Sequence, residues 1–96
     1  MIDQVMCDWI PKRRMQPTEL WYGIARVPSG ALRDARDAEA VQHALRTKLR
    51  IRVPIVVMEG EPLDVPRLFG PHDEVAHVRE NMGVIATHMW EPIRLH

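Results

Sequence analysis

A chain of 96 residues, 46% hydrophobic and 27% charged, has the size and balance of one globular domain spanning residues 1–96, and its composition carries no sign of disorder. The longest aliphatic stretch, Val53 to Met58, falls far short of the about 18–20 residues that cross a bilayer, and a single cysteine, Cys7, excludes an intrachain disulfide or a multi-cysteine zinc knuckle. Thirteen basic and thirteen acidic side chains cancel overall, but residues 1–52 carry ten basic and six acidic groups, a balance near +4, and residues 53–96 carry three and seven, near −4.

Ile2 to Ile10 alternates Val5, Cys7 and Trp9 against Gln4, Met6 and Asp8, the period-two pattern of a strand. Pro11 ends it, and 11–18 reads as a basic loop. Leu20 to Val27 is a strand apolar on both faces, as interior strands are. After Pro28-Ser29-Gly30, the residues Leu32, Ala35, Ala38, Val41, Leu45 and Leu49 recur every three or four positions and predict the main helix, with Ser29, Asp34 or Asp37 as its N-cap. Ile51 to Met58 is a β-branched strand in which Pro54 implies an edge or a bulge. Glu59 to Pro62 reads as a turn and Leu63 to Phe69 as a short strand interrupted by Pro66. His72 to Asn81 reads as a short helix with Val75 and Val78 inward and Asp73 and Glu74 in the first turn, where the helix dipole favours acids. Val84 to Trp90 completes the pattern as a final strand before Pro92.

From Leu20 onward the order is strand–helix–strand–strand–helix–strand. This is the order of a ferredoxin-like α+β two-layer sandwich, here with an extra N-terminal strand and a mostly antiparallel sheet. An open α/β sheet is the alternative if 63–69 is loop.

Two basic clusters stand out. Lys12, Arg13 and Arg14 form one, and Arg46, Lys48, Arg50 and Arg52 the other, with Trp21 and Tyr22 on a strand nearby. Basic loops beside aromatic strands suit single-stranded nucleic acid, so Lys12, Arg13, Arg14, Arg46, Lys48 and Arg50 are the residues for that alternative. Cations at a helix C-terminus equally complement its dipole, and strand aromatics fill cores. Tyr22, His77 and His88 are the residues for a ligand pocket or an active site. His72 and His77 are five apart, and Asp73 and His77, though spaced as helical metal ligands are, make a pair and not a site, while His88 shares a strand face with Trp90, so no metal site and no cofactor is expected. Glu59, Glu61 and Asp64 follow a strong strand, yet acids in a Pro/Gly turn are usually solvated. Ser29 is the only serine and sits in a turn.

Cys7 shares a face with Val5 and Trp9 and lies beside Asp8, which suits a buried hydrophobe better than a reactive thiol. Val53 to Gly60, followed by Gly70 and the acidic short helix, resembles in passing the second half of thioredoxin-like proteins. The paired-cysteine motif is absent, and Pro11 and Pro17 stand where the long first helix would run, so no redox function is carried over.

The reading reached from the residues is a small non-catalytic regulatory or accessory protein. It acts by protein–protein interaction, as a homodimer or with a larger partner. The absence of a catalytic constellation, three tryptophans and six methionines, and the opposite charges of the two halves all favour it. An N-terminus with Asp3, Asp8 and no apolar signal core makes a cytoplasmic setting, away from membranes, the expectation.

Overall fold

A computed structural model describes residues 2–10, 22–60 and 67–96. Among them, five strands form one mixed sheet. They are β1 (Gln4–Ile10), β2 (Tyr22–Val27), β3 (Ile55–Glu59), β4 (Arg67–Phe69) and β5 (Glu91–Arg94), in the spatial order β4-β3-β2-β1-β5. Three helices accompany it: α1 (Ala35–Leu49), α2 (His72–Glu80) and α3 (Met82–Ile85). The fold is α+β, and its element order is loosely that of a ferredoxin-like sandwich. Only β2 and β3 are parallel; the other three pairings are antiparallel.

The two apolar faces of β2 foretold an interior strand, and it lies between β1 and β3. Because side chains alternate, each face of the sheet needs its own cover. Val5, Cys7, Ala25, Val27, Ile55 and Val57 face α1, which contributes Ala38, Val41 and Leu45. Ile10, Tyr22, Ile24, Val56 and Met58 face the other way, toward Val78 of α2 and Ile85 of α3. The helices therefore divide between the faces, and the arrangement is helix–sheet–helix where two layers were expected.

Asp34 is the N-cap of α1. Its carboxylate accepts from the Arg36 and Asp37 amides at 2.9 and 3.3 Å. Arg33 grips Asp37 through its own amide at 2.7 Å and through its guanidinium at 3.0 and 3.2 Å, which lowers the Asp37 pKa. The helix ends on Arg50 in the left-handed region, φ 54°, which satisfies the Arg46 carbonyl as a glycine there would. Gln42 reaches back to the Ile55 carbonyl and ties α1 to β3.

Two expectations need correction. The strand after α1 begins at Ile55, so Pro54 lies just before it, and β3 is interior. The Pro54 carbonyl accepts from Gly23 N at 2.8 Å, one residue before the strand begins. Of the expected strand Leu63–Phe69, Arg67–Phe69 is present as β4, and 63–66 lie outside the described residues. Val84 to Trp90 is not a strand. Its first part continues the helical turn as α3, because Ile85 is needed in the second core and its amide finds the Asn81 carbonyl at 2.9 Å. The closing strand is β5, which holds Pro92.

Pro92 is opposite Met6, while Leu95 N donates to Asp3 O at 2.8 Å. Odd-numbered residues of β5 thus bond toward β1, and Pro92 turns its donor-less nitrogen to the free edge. This outer edge is blunted by proline and is poorly suited to adding a strand from another chain.

Candidate functional site

The sequence-derived candidates lie in different parts of the fold. Lys12, Arg13 and Arg14, and with them Trp21, fall outside the described residues, as do Glu61 and Asp64. Arg46 and Lys48 are exposed in the last turn of α1, and Arg50 and Arg52 are exposed just after it. They lie at the end of the sheet where β1 stops and β2 starts, since α1 runs back to the beginning of β3, which is parallel to β2.

Tyr22 is fully buried and is not an exposed stacking platform. Its ring stacks with His77, centroids 6.4 Å apart at 26°. Burial raises the Tyr22 pKa; Asn81 beside it pulls the other way, and Glu74 and Glu80 add to the rise. His77 lies 4.0 Å from Glu80. His88 belongs to a different grouping, described below. Grooves of about 470, 280 and 310 Å³ flank α1 on both sides and the start of β1, and none of these three is lined by Tyr22, His77 or His88. Among the described residues no cluster of three or more histidine, cysteine or acidic groups could hold a metal.

Glu59 has a structural assignment. Its buried carboxylate accepts from Gly30 N at 3.0 Å and Leu32 N at 3.2 Å. This is the space beyond the carboxyl ends of the parallel strands β2 and β3, where open α/β sheets usually seat ligands. Here the chain's own carboxylate fills it and pins the β2–α1 connection. Cys7 is fully buried, and burial first, then Glu91 and Asp8, pushes its pKa up to about 12. It is an inert core thiol.

The residues that draw together are on the face covered by α2 and α3. Asp8 is buried on β1, where alternation would have left it in solvent. One of its oxygens accepts from Trp9 N at 2.8 Å, and the other lies 2.9 Å from His88 Nδ1. Two residues on, Trp90 packs against the second core and carries the Arg26 guanidinium 5.1 Å above its ring. The segment His88-Met89-Trp90 is thus held at both ends, and Met89 between them is 84% exposed. Val84, 49% exposed, is the other large exposed hydrophobe among the described residues.

On the same face of the sheet, beyond this segment, Met6 and Arg26 are half-buried and Gln4, Pro92 and Arg94 are exposed among the described residues, beside the part that α2 and α3 cap. Sequence reasoning missed this site because Asp8, Arg26 and Met89 are unremarkable singly. The three consecutive large residues His88, Met89 and Trp90 were the available signal, and the expected strand at 84–90 hid it.

No protein-family model matches the chain, and no curated protein or solved structure matches it.

Proposed function

We propose that the protein is a non-catalytic accessory module that works through protein–protein contact, and that it associates with itself through the face that carries Met89. The observation that carries this reading is Met89, an 84% exposed methionine on a segment fastened at both ends. A side chain free to fold inward would hide such apolar surface; this one is held out in water, and Met and Trp are enriched at recognition surfaces. Zero net charge removes the general repulsion between copies. The proline of edge strand β5 disfavours strand addition there and leaves side chains to make the contact. The inert thiol and the self-filled Glu59 position add to the case against catalysis.

Sedimentation velocity from low micromolar to near-millimolar protein tests the reading. The native chain should pass from monomer to dimer, and Met89→Glu should stay monomeric while keeping its circular dichroism spectrum. A native chain that is monomeric throughout, or a Met89→Glu chain that dimerises equally well, overturns it. Salt-sensitive oligonucleotide binding by such a monomer would move the function to the exposed corner of Arg46, Lys48 and Arg50.

A further inference from the structure

The self-association proposed above, on which this inference rests, depends on one exposed thioether. The placing of the other sulfur atoms says what could control it. Cys7 carries the sulfur that oxidants ordinarily attack first, because a thiolate is the stronger nucleophile. Here it is fully buried, and burial, then Glu91 and Asp8, pushes its pKa up to about 12, so it offers neither access nor thiolate. Met58 is buried, and Met6 and Met82 are half-buried, Met82 against the second core. Met89 alone among the described sulfur residues stands largely in water. Its neighbours keep it there: His88 Nδ1 lies 2.9 Å from the buried Asp8 carboxylate, and Trp90 lies beneath the Arg26 guanidinium. Exposure decides which sulfur an oxidant reaches.

We infer that Met89 is a site of reversible oxidation by peroxides, and that its sulfoxide holds the protein as a monomer. In the forward step a lone pair of the thioether sulfur attacks one oxygen of hydrogen peroxide. The O–O bond breaks as the S–O bond forms, the sulfur gives up two electrons, and the peroxide is reduced to water. In the reverse step two thiols of a reductase become a disulfide, and the sulfoxide oxygen leaves as water. Those thiols come from another molecule, since the single cysteine of this chain is buried. Oxidation turns a flexible apolar side chain into a polar one with a strong acceptor oxygen. A segment held at both ends keeps that oxygen on the contact face, and a second copy covering it would strip its water. The oxidised chain should therefore associate roughly tenfold more weakly than the native one.

The whole native chain is treated with limiting hydrogen peroxide at neutral pH, and mass-spectrometric peptide mapping follows each sulfoxide. Tryptic peptide 80–94 carries both Met82 and Met89, so the two are compared within one fragment. Met89 should oxidise roughly tenfold faster than Met6, Met58 or Met82. The half-oxidised sample is then divided by size exclusion at a concentration where the native chain dimerises. Met89 sulfoxide should collect in the monomer fraction, with the native circular dichroism spectrum, and methionine sulfoxide reductase with dithiothreitol should return that fraction to dimer. The inference is overturned if Met89 oxidises no faster than Met6 or Met82, or if its sulfoxide divides equally between the fractions. An oxidised monomer that has lost its native spectrum, or one that reduction does not return to dimer, overturns it as well. In each of these cases a native chain that dimerises keeps the self-association standing. If the native chain is monomeric throughout, both fall.

Discussion

Replacing Glu59 by alanine should cost about 3 kcal/mol of stability, chiefly through two orphaned amides rather than through a lost ion pair. The native carboxylate accepts from Gly30 N at 3.0 Å and Leu32 N at 3.2 Å inside the fold. Hydrogen bonds to a charged acceptor contribute about 1.5–3 kcal/mol each, and a buried amide left without a partner costs about 1–3 kcal/mol. The two costs do not simply add, because Gly30 borders solvent and water can reach its amide, which holds the expected total near ~3 kcal/mol. The alternative explanation is the Arg67 contact, but that guanidinium lies 3.9 Å away with its side chain 64% exposed. Exposed pairs of this kind are worth about 0–1 kcal/mol. With an unfolding entropy of about 2.1 cal/mol/K per residue, ~3 kcal/mol lowers the melting temperature by about 15 °C in a domain of this size. Thermal and urea melts of Glu59→Ala, Glu59→Gln and Arg67→Ala separate the causes. Glutamine keeps one acceptor and should fall between the native protein and the alanine variant, and Arg67→Ala should lose less than about 1 kcal/mol. An arginine variant as unstable as Glu59→Ala, or a Glu59→Ala variant within about 1 kcal/mol of native, would refute the assignment of Glu59 as the clamp of the β2–α1 connection.

Gly23 lies under the Trp9 ring, where an added Cβ would come within 2.8 Å of the Trp9 Cε3 atom and closer still to Cζ3. Gly23→Ala should therefore cost about 1–3 kcal/mol by overpacking. In a double-mutant cycle with Trp9→Leu the two costs should be clearly less than additive; strict additivity would place the clash elsewhere. Cys7 should resist thiol reagents at neutral pH until the protein is unfolded, because its pKa is pushed up to about 12 by burial. The sign of the pH dependence follows. The unfolded thiol ionises near 9.0 and the folded one near 12, so stability is intact below the lower value and falls as pH rises between the two. Cys7→Ala should flatten that alkaline decline, and an unchanged slope in denaturant melts would show that another group causes it.

Much of the secondary structure was legible because it rests on local patterns. The three- and four-residue spacing from Ala38 to Leu49 allows one helix face, Asp34 can cap it, and the alternation in β1 and the two-sided apolarity of β2 have one reading each. The short helix at His72–Glu80 carries its acids at the end where the dipole wants them. The thiol's inertness was also readable from Val5 and Trp9 on the same face. What misled the reading was the run Val84-Ile85-Ala86-Thr87, strand-like by composition. Its conformation is decided by Ile85 filling the core beneath α3, a demand made by residues distant in sequence. Only tertiary structure could divide the helices between two faces, because a helix's apolar stripe does not say which side of a sheet it will cover. The same division buries Asp8 and brings it to His88, and it sets Trp90 beneath the Arg26 guanidinium. Local propensity acts over a few residues and sets the elements. The grouping of Asp8, Arg26, His88 and Trp90 arises where β1, β2 and the segment before β5 meet, and a sequence pattern has no means of recording that meeting.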